Sequence, residues 1–371
     1  MNPVFMLKRL SFTLFTVFFA WLLIDQYVVC PTYAFNQPGT FRGDSLYNPY
    51  RGFREDEWTI ANFHAHTASW FGLTNGKGDA SDVHSAYDSM GYGIRLISEY
   101  QQISRYGDSS RSYISAYEHG YNLPKAHHLV LGSASVVWKD YFLPQTLSNK
   151  QDMLDRLAEP ANAVVINHPA MRTGFRPADL KFLDNYDALE VLNSYKVTFD
   201  YWDTALSAGR MVSIVGNDDT HNAGKRSAIG KFATLVHAPG RKREEVLKSI
   251  REGRTIGVWI PHQPPLPFPE KIRAIKSASP SIHRLTADSG VLRLSFRAPV
   301  YELTLTGQDG RVLLSRESLP AGVMLERAFS EEDTYVRVSY RTADGIRYFL
   351  NPVVRYDGVR IGNRRITTDA L

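Results

Sequence analysis

An α/β protein followed by an all-β segment is the fold class that the sequence predicts, on two observations. From Trp58 to Ile260 short apolar, β-branched runs alternate with stretches of helical periodicity. That is the pattern of a mostly parallel sheet, open or closed, with helices packed on it. After the proline-rich stretch PHQPPLPFPE, Pro261–Glu270, the apolar residues recur with period two instead.

Taken in order, the chain opens with Lys8 and Arg9, an apolar run from Leu10 to Ile24, and then Asp25. A basic start and an apolar stretch of this length form the pattern of an export signal, and Thr32-Tyr33-Ala34 offers small residues for cleavage after Ala34. Left uncut, the run would be an anchor, short for a span unless Tyr27–Val29 extend it, with Lys8 and Arg9 cytoplasmic and the rest outside. Residues 1–34 are therefore read as a signal peptide or N-terminal membrane anchor. The protein is expected to be exported: periplasmic, secreted, or anchored to the outer face of the cytoplasmic membrane. Cys30 is the only cysteine, so no intrachain disulfide forms. Val28 and Val29 before it do not suit lipoprotein processing.

Residues 36–54, rich in Gly, Asn, Pro and Tyr, read as a linker or opening loop. Strands are then expected at TIANF, GIRLIS, HLVLG, AVVIN, ALEVL, MVSIVG and KFATLVHA. Helices are expected near Ala80–Met90, Lys150–Ala158, Pro177–Asn185, Tyr201–Ala208 and Arg243–Glu252. Five prolines in ten residues continue neither kind of element, so 261–270 reads as a stiff linker between a 35–260 domain and a 271–371 domain. In the latter, VLRLSF, YELTLT, RVLLS, TYVRVSY and IRYFLNPVV alternate, with turns at Gln308-Asp309-Gly310 and Ala343-Asp344-Gly345. A small antiparallel β-sandwich is expected there. It carries no cluster of catalytic residue types.

Composition narrows function by exclusion. With 43% hydrophobic and 22% charged residues and no low-complexity tract, the chain is a folded globular protein. Its formal net charge of +5 is spread along the chain. That favours a small anionic substrate and lacks the concentrated basic, aromatic groove of a nucleic-acid enzyme. There is no G-x-S-x-G, and the lone cysteine lies near the export segment, so serine and cysteine hydrolase mechanisms have no support. Gly72–Asp79 lacks the apolar helix that a phosphate loop needs behind it. Oligomeric state is left open.

What remains is a set of metal-ligand residue types at strand ends: NFHAHT (His64, His66), AYEHG (Glu118), AHHLVLG (His127, His128), VVINHP (His168) and VGNDDTH (Asp219, His221). Strand ends are where an α/β barrel delivers side chains to its active-site mouth. Imidazoles and carboxylates together suit Zn, Mn or Fe. Alternate side chains of a strand point to opposite faces, so one of His127 and His128 should face a metal; the spacing to Gly132 favours His127.

These motifs, in this order, resemble the polymerase-and-histidinol-phosphatase (PHP) domain family, and more narrowly the exported carbaryl-hydrolase-like (CehA/McbA-type) metallohydrolases. The resemblance covers Trp58–Ile260 and includes GKFATLVHAPGRKREEVLKSIREGRTIGV. It implies a distorted (βα)7 barrel with up to three metals at its mouth. The first site would be His64, His66, Glu118 and Asp219; the second would share Glu118 and add His127 and His168. Two divalent ions are expected. The family's T-D-H after the second strand is Ser98-Glu99-Tyr100 here, which removes a ligand of the third metal and leaves His221 as a general acid/base or as a ligand of an incomplete site. The D-x-H pattern selects Asp219; Asp218 and Glu99 are expected to orient ligands or to substitute for them.

Arg172 and Tyr100 are candidate substrate contacts, Arg172 as a bidentate fork for an anion or else as a solvated loop residue. Glu190 and Asn193 read as strand-end hydrogen-bonding groups, and Trp70 and Phe71 as pocket wall or core. His84, His119, His237, His262 and His283 lack ligand-spaced companions. The expected activity is that of an exported metal-dependent hydrolase, a phosphoesterase using a metal-activated hydroxide, with Asp219 or His221 managing the proton. Carboxylic or carbamate ester or amide hydrolysis is the alternative chemistry, and a degenerate barrel binding a ligand at the cell envelope is the non-enzymatic one.

Overall fold

A computed structural model describes residues 4–358 apart from 111, 160–161 and 262–265, with the backbone alone at 3, 360–361 and 364–365. The chain is mixed α/β. An N-terminal helix, Pro3–Ile24, continues as a π-helical turn, Asp25–Val29. Val4–Val29 is the one stretch among the described residues that is helical, long and apolar enough to cross a membrane.

Two sheets make up most of the remainder. One is five-stranded, in the order Ala116–His119, His128–Leu131, Ala163–Ile166, Ala188–Leu192, Ser213–Gly216. All five strands are buried on both faces, which is why the last four read as near-continuous apolar runs rather than alternating ones. Its last three strands are parallel, but the first two pairings are antiparallel. The second sheet pairs Trp58–Asn62 in parallel with the short Ile94–Arg95 and antiparallel with Phe232–His237, which pairs antiparallel with Thr255–Trp259. The sheet content is therefore mixed, not mostly parallel as the alternation suggested. The link Gly120–His127 is too short for a crossover, so the two strands it joins run antiparallel.

The apolar faces meet between the sheets. Ala61, Phe63 and Val236 from one pack with Leu129, Val165, Ala188 and Val215 from the other, and helix Arg243–Arg251 closes one end with Val246 and Ile250. Two parallel bridges stitch the sheets at the other end, Ala65 to Thr220 and Tyr100 to Glu118.

The helix expected near Ala80–Met90 forms over that span, capped by reciprocal Asp79 and Asp82 bonds and ended by Gly91 at a left-handed φ of 90°. The one expected near Pro177–Asn185 is only a 3-10 turn, Pro177–Lys181. A helix that the prolines hid spans Phe268–Lys276; Pro269 sits in its first turn, where a missing N–H breaks no helical bond. Residues 36–54 are more than a loop: Ser45–Tyr47 pairs with Val353–Tyr356, and Phe41, Tyr47 and Tyr50 are buried.

The C-terminal strands extend the second sheet without interruption, because Arg347–Leu350 pairs with Thr255–Trp259. A three-stranded sheet, Ile282–Asp288, Val291–Phe296 and Leu325–Ala328, covers it. Leu285, Leu294 and Phe296 share one core with Ile256, Val258 and Val338. Both expected hairpins form, at Gln308–Gly310 and around Asp344.

Candidate metal centre

The end of the inter-sheet core where the bridges lie is polar, and it holds the histidines. His64 and His66 leave the strand Trp58–Asn62, Glu118 stands on its own strand, and His127 precedes the next. His168 follows Ala163–Ile166, and Asp219 follows Ser213–Gly216. The side chains of His64, His66, Glu118, His127 and His168 are all within 3% of full burial, and that of Asp219 is 10% exposed.

Four atoms converge. His64 Nε2 lies 3.1 Å from His66 Nε2, 3.5 Å from Glu118 Oε2 and 3.3 Å from Asp219 Oδ1. His66 Nε2 lies 3.3 Å and 3.4 Å from the same two oxygens. A tetrahedron with ligands about 2.1 Å from its centre has edges of about 3.4 Å, so this spacing fits a bound divalent cation. The donor atoms also fit: Glu118 Oε2 and Asp219 Oδ1 are buried oxygens without a hydrogen-bond donor.

A second set shares Glu118 through its other oxygen. Oε1 lies 2.9 Å from His127 Nδ1 and 3.0 Å from His168 Nε2, and Asn167 Nδ2 donates to it at 3.2 Å. Gly120 makes room for this: a Cβ there would stand 2.5 Å from the His127 ring. His66, Asp219 and His221 form a third grouping whose ligand atoms lie within 4.8 Å of one another, as do those of His64, His168 and Asp219. His168 and Asp219 both take positive φ, 24° and 51°, a strained backbone for non-glycine residues.

The electrostatics express a shortage of positive charge. Burial opposes protonation of His64, His66 and His168, yet the Asp219, Glu190 and Glu118 carboxylates overcome it. His64 is held well above the ordinary histidine range and His66 is raised to about 9. Burial likewise opposes ionisation of Glu118 and Asp219, but the surrounding imidazoles hold both below the usual carboxylate range. His127 is lowered, chiefly by burial.

Around the cluster lies a framework that the strand-end reading underrated. Glu190 Oε1 accepts from His64 Nδ1 at 2.9 Å and Asn217 Nδ2 at 3.0 Å; its Oε2 accepts from the His168 backbone N–H and Asn193 Nδ2, both at 2.9 Å. Asn62 donates to the His64 carbonyl and accepts from the Asp218 N–H. Asn62, Asn167 and Asn217 each stand one or two residues before a histidine or aspartate of the cluster. All three lie within the ligand-bearing motifs or at their edge, and that spacing is the only signal of their role in the sequence.

The remaining candidates fall into place around this frame. Asp218 faces away, its oxygens accepting from the Gly230, Lys231 and Phe232 N–H groups and the Tyr87 hydroxyl. Glu99 Oε1 takes the Thr67 N–H and hydroxyl, both at 2.6 Å. His128 turns from the cluster towards Phe175 and His119, and His119 meets the Lys139 carbonyl at 2.7 Å. Tyr100 stacks on His66 with ring centroids 4.6 Å apart and places its hydroxyl 3.3 Å from His221 Nε2. His221 Nδ1 lies 3.1 Å from the Asp219 carbonyl, so Nδ1–H donates there and Nε2 is free to accept from the phenol. Burial and the Glu118 and Asp219 charges push the Tyr100 phenol far up, keeping it neutral. Arg172 lies outside the cluster, exposed, with Nη1 3.4 Å from the Leu123 carbonyl. His84 packs on Tyr106, His237 meets Glu57, His283 is exposed, and His262 lies outside the described residues.

Beside the cluster runs a cleft of 1040 Å³ between Thr67–Gly72 on one side and Gln101–Arg105, Ala134–Val136 and Trp138 on the other. Its walls Thr67 and Glu99 are one residue from His66 and Tyr100. Trp70 donates Nε1–H to the Tyr100 carbonyl at 2.7 Å.

No family model matches the chain, and no curated protein does. Among solved structures the chain is similar to a two-domain protein containing a predicted PHP-like metal-dependent phosphoesterase from Bacteroides vulgatus, at 12% identity and a TM-score of 0.42. That similarity covers 86% of this chain and 99% of the other.

Proposed function

We propose that this chain is an exported, metal-dependent phosphoesterase of the PHP type that works with two divalent ions. The observation carrying this reading is the two-sided Glu118: Oε2 faces His64, His66 and Asp219, while Oε1 faces His127 and His168. With Glu118 shared, His64, His66 and Asp219 would hold one divalent cation and His127 and His168 a second, and the pair would supply charge to one displacement. We read the two sheets, closed by the Ala65–Thr220 and Tyr100–Glu118 bridges, as a distorted barrel with the cluster at its mouth.

Divalent cations held there supply Lewis-acid charge to a phosphoryl group and acidify water towards neutrality. The chain's own residues supply position and proton traffic. Glu190 fixes His64 by holding Nδ1–H, so Nε2 points inward. His221, kept neutral by burial and by His66, presents Nε2 as a proton acceptor, and the neutral Tyr100 hydroxyl beside it donates to an oxygen that gains charge. Arg172 draws the anionic substrate to the mouth. Tyr100, standing where the family has a third-metal histidine, also suits the tetrahedral oxyanion of a carboxylic or carbamate ester, and that is the second chemistry to assay.

The test is metal content of the purified chain together with turnover of a phosphodiester, a phosphomonoester and a carboxylic ester. About two equivalents of metal and phosphoester turnover that His66→Ala abolishes support the reading. A chain that takes up no metal and turns over none of the three is an envelope binding protein instead.

A further inference from the structure

We propose that the N-terminal helix is retained, that it holds the cleft beside the metal cluster against the bilayer it spans, and that the substrate is the phosphoester head group of a membrane lipid. The substrate part rests on the phosphoesterase reading above; the placement at the bilayer does not.

The first support is how the helix leaves the body. Gln26 is 2% exposed, donates Nε2–H to the Leu143 and Pro144 carbonyls, and accepts the Leu143 N–H through Oε1 at 2.8 Å. Its carbonyl accepts from Asn149 Nδ2 at 2.8 Å, Tyr27 donates its hydroxyl to the Pro144 carbonyl at 2.7 Å, and Asp25 pairs with Lys139. Cleavage after Ala34 would strip a buried glutamine from its socket and hand these bonds to water. The body matches the Gln26 carbonyl and both ends of its side-chain amide, so a segment seated this way belongs to the mature fold.

The second is the absence of slack. Between Arg9 and Asp25 the apolar run Leu10–Ile24 is about 22 Å long at 1.5 Å per residue, less than a hydrocarbon core of about 30 Å, so it spans only with Lys8 and Arg9 snorkelling at one end and Asp25 held at the membrane surface at the other. Asp25 follows at once and is already docked on Lys139, so the body lies directly on the membrane surface with no tether between them. Lys8 and Arg9 at the far end keep that end cytoplasmic.

The third is what the docking loop also carries. Trp138, one residue from Lys139, forms the cleft wall and meets Trp70 across it with ring centroids 6.0 Å apart. Tyr121 donates its hydroxyl to the Trp138 carbonyl, and Leu123 donates its N–H to the Phe142 carbonyl. Beyond the helix, six of the eleven exposed large apolar side chains among the described residues line the cleft or stand on segments bonded to its Trp70 wall and to the docking loop: Trp70, Phe71 and Trp138 in the lining, and Leu73, Tyr121 and Leu123 next to it. Phe71 and Leu73 are 105% and 87% exposed. An apolar, tryptophan-bearing rim this concentrated is built to enter a bilayer interface. Arg105 in the cleft and Arg172 beside Leu123 supply positive charge at head-group depth. In the reaction, water's oxygen joins phosphorus, the bond from phosphorus to one ester oxygen breaks, and the released alcohol takes a proton of that water.

The full chain, reconstituted in phosphatidylcholine–phosphatidylglycerol vesicles, tests both halves. In a Cys30→Ser background, Leu73→Cys carrying a fluorophore should be quenched by brominated phosphatidylcholine, while Arg316→Cys on the exposed strand Val312–Leu319 should not. Absence of quenching at position 73, or an intact mass that begins after Ala34, overturns the placement. Metal-loaded protein should hydrolyse vesicle phosphatidylglycerol about tenfold faster than the dispersed dihexanoyl analogue, because both partners are confined to one surface. Leu73→Ser with Leu123→Ser should remove that preference and leave turnover of the dispersed analogue intact. Turnover of the dispersed analogue without a vesicle preference overturns the lipid substrate alone. Quenching with no turnover of either lipid, by protein that also fails on simple phosphoesters, overturns the phosphoesterase reading and keeps the placement.

Discussion

Glu190 holds His64 by its Nδ1–H at 2.9 Å, and this leaves Nε2 as the only nitrogen His64 can offer to the cluster. The same carboxylate accepts three further donors, from Asn217, Asn193 and the backbone of His168. Glu190→Gln keeps the shape but sets an amide N–H against one of those donors. It should lower metal affinity about 10- to 100-fold, the usual cost of losing a group that orients a ligand, with the fold retained. Competition against a chelator measures this. Unchanged affinity would mean that His64 is not held by Glu190.

Glu118 and His127 should separate by stoichiometry. Glu118 offers one oxygen to each ligand set, whereas His127 touches only the second. Glu118→Ala should empty both sites, while His127→Ala should leave about one equivalent in the His64, His66 and Asp219 site. Elemental analysis of dialysed protein decides it. Equal loss in the two variants would contradict the shared-carboxylate arrangement.

The ligand-bearing motifs were legible because each sits where a buried strand ends, and a double-sided apolar run is visible in sequence. Asn167 and Asn217, by contrast, show no role in the sequence, since an asparagine's role depends on what its amide meets across strands. Strand direction was lost for a similar reason: Gly120–His127 is too short for a crossover, but strand Ala116–His119 itself was read only as a cluster and not as an element. The helix at Phe268–Lys276 was masked by the prolines that start it. Continuity of the second sheet through Thr255–Trp259 and Arg347–Leu350 joins residues about ninety apart, and no local pattern encodes such a pairing.

Two adjacent aspartates should fail in different ways. Asp218 accepts three backbone N–H groups and the Tyr87 hydroxyl, tying the Gly230–Phe232 segment to helix Ala80–Met90. Asp218→Asn turns one acceptor into a donor facing those groups and should cost about 2 kcal/mol of stability with metal binding nearly intact. Asp219→Asn should instead leave thermal stability of the metal-free chain within a few degrees and abolish binding in the first site, because Oδ1 is among its four converging atoms. Thermal melts and metal titration on both variants check the contrast.

Proton and metal should compete for the same histidines. In the metal-free cluster His66 is raised to about 9 and His64 is well above 6.5, because three carboxylates need counter-charge in a buried space. A group whose pKa is raised by folding adds stability that is complete below its unfolded value and is lost as pH rises through its folded value. The metal-free chain should therefore lose thermal stability between about pH 6.5 and 9. A bound cation replaces those protons, so its affinity should climb up to about tenfold per pH unit for each proton displaced. Melting in chelator and in excess metal from pH 6 to 9.5 tests this: the two curves should diverge as pH rises. Parallel curves would show that the carboxylates are not waiting for charge, and that the cluster is a hydrogen-bonded core and not a metal site.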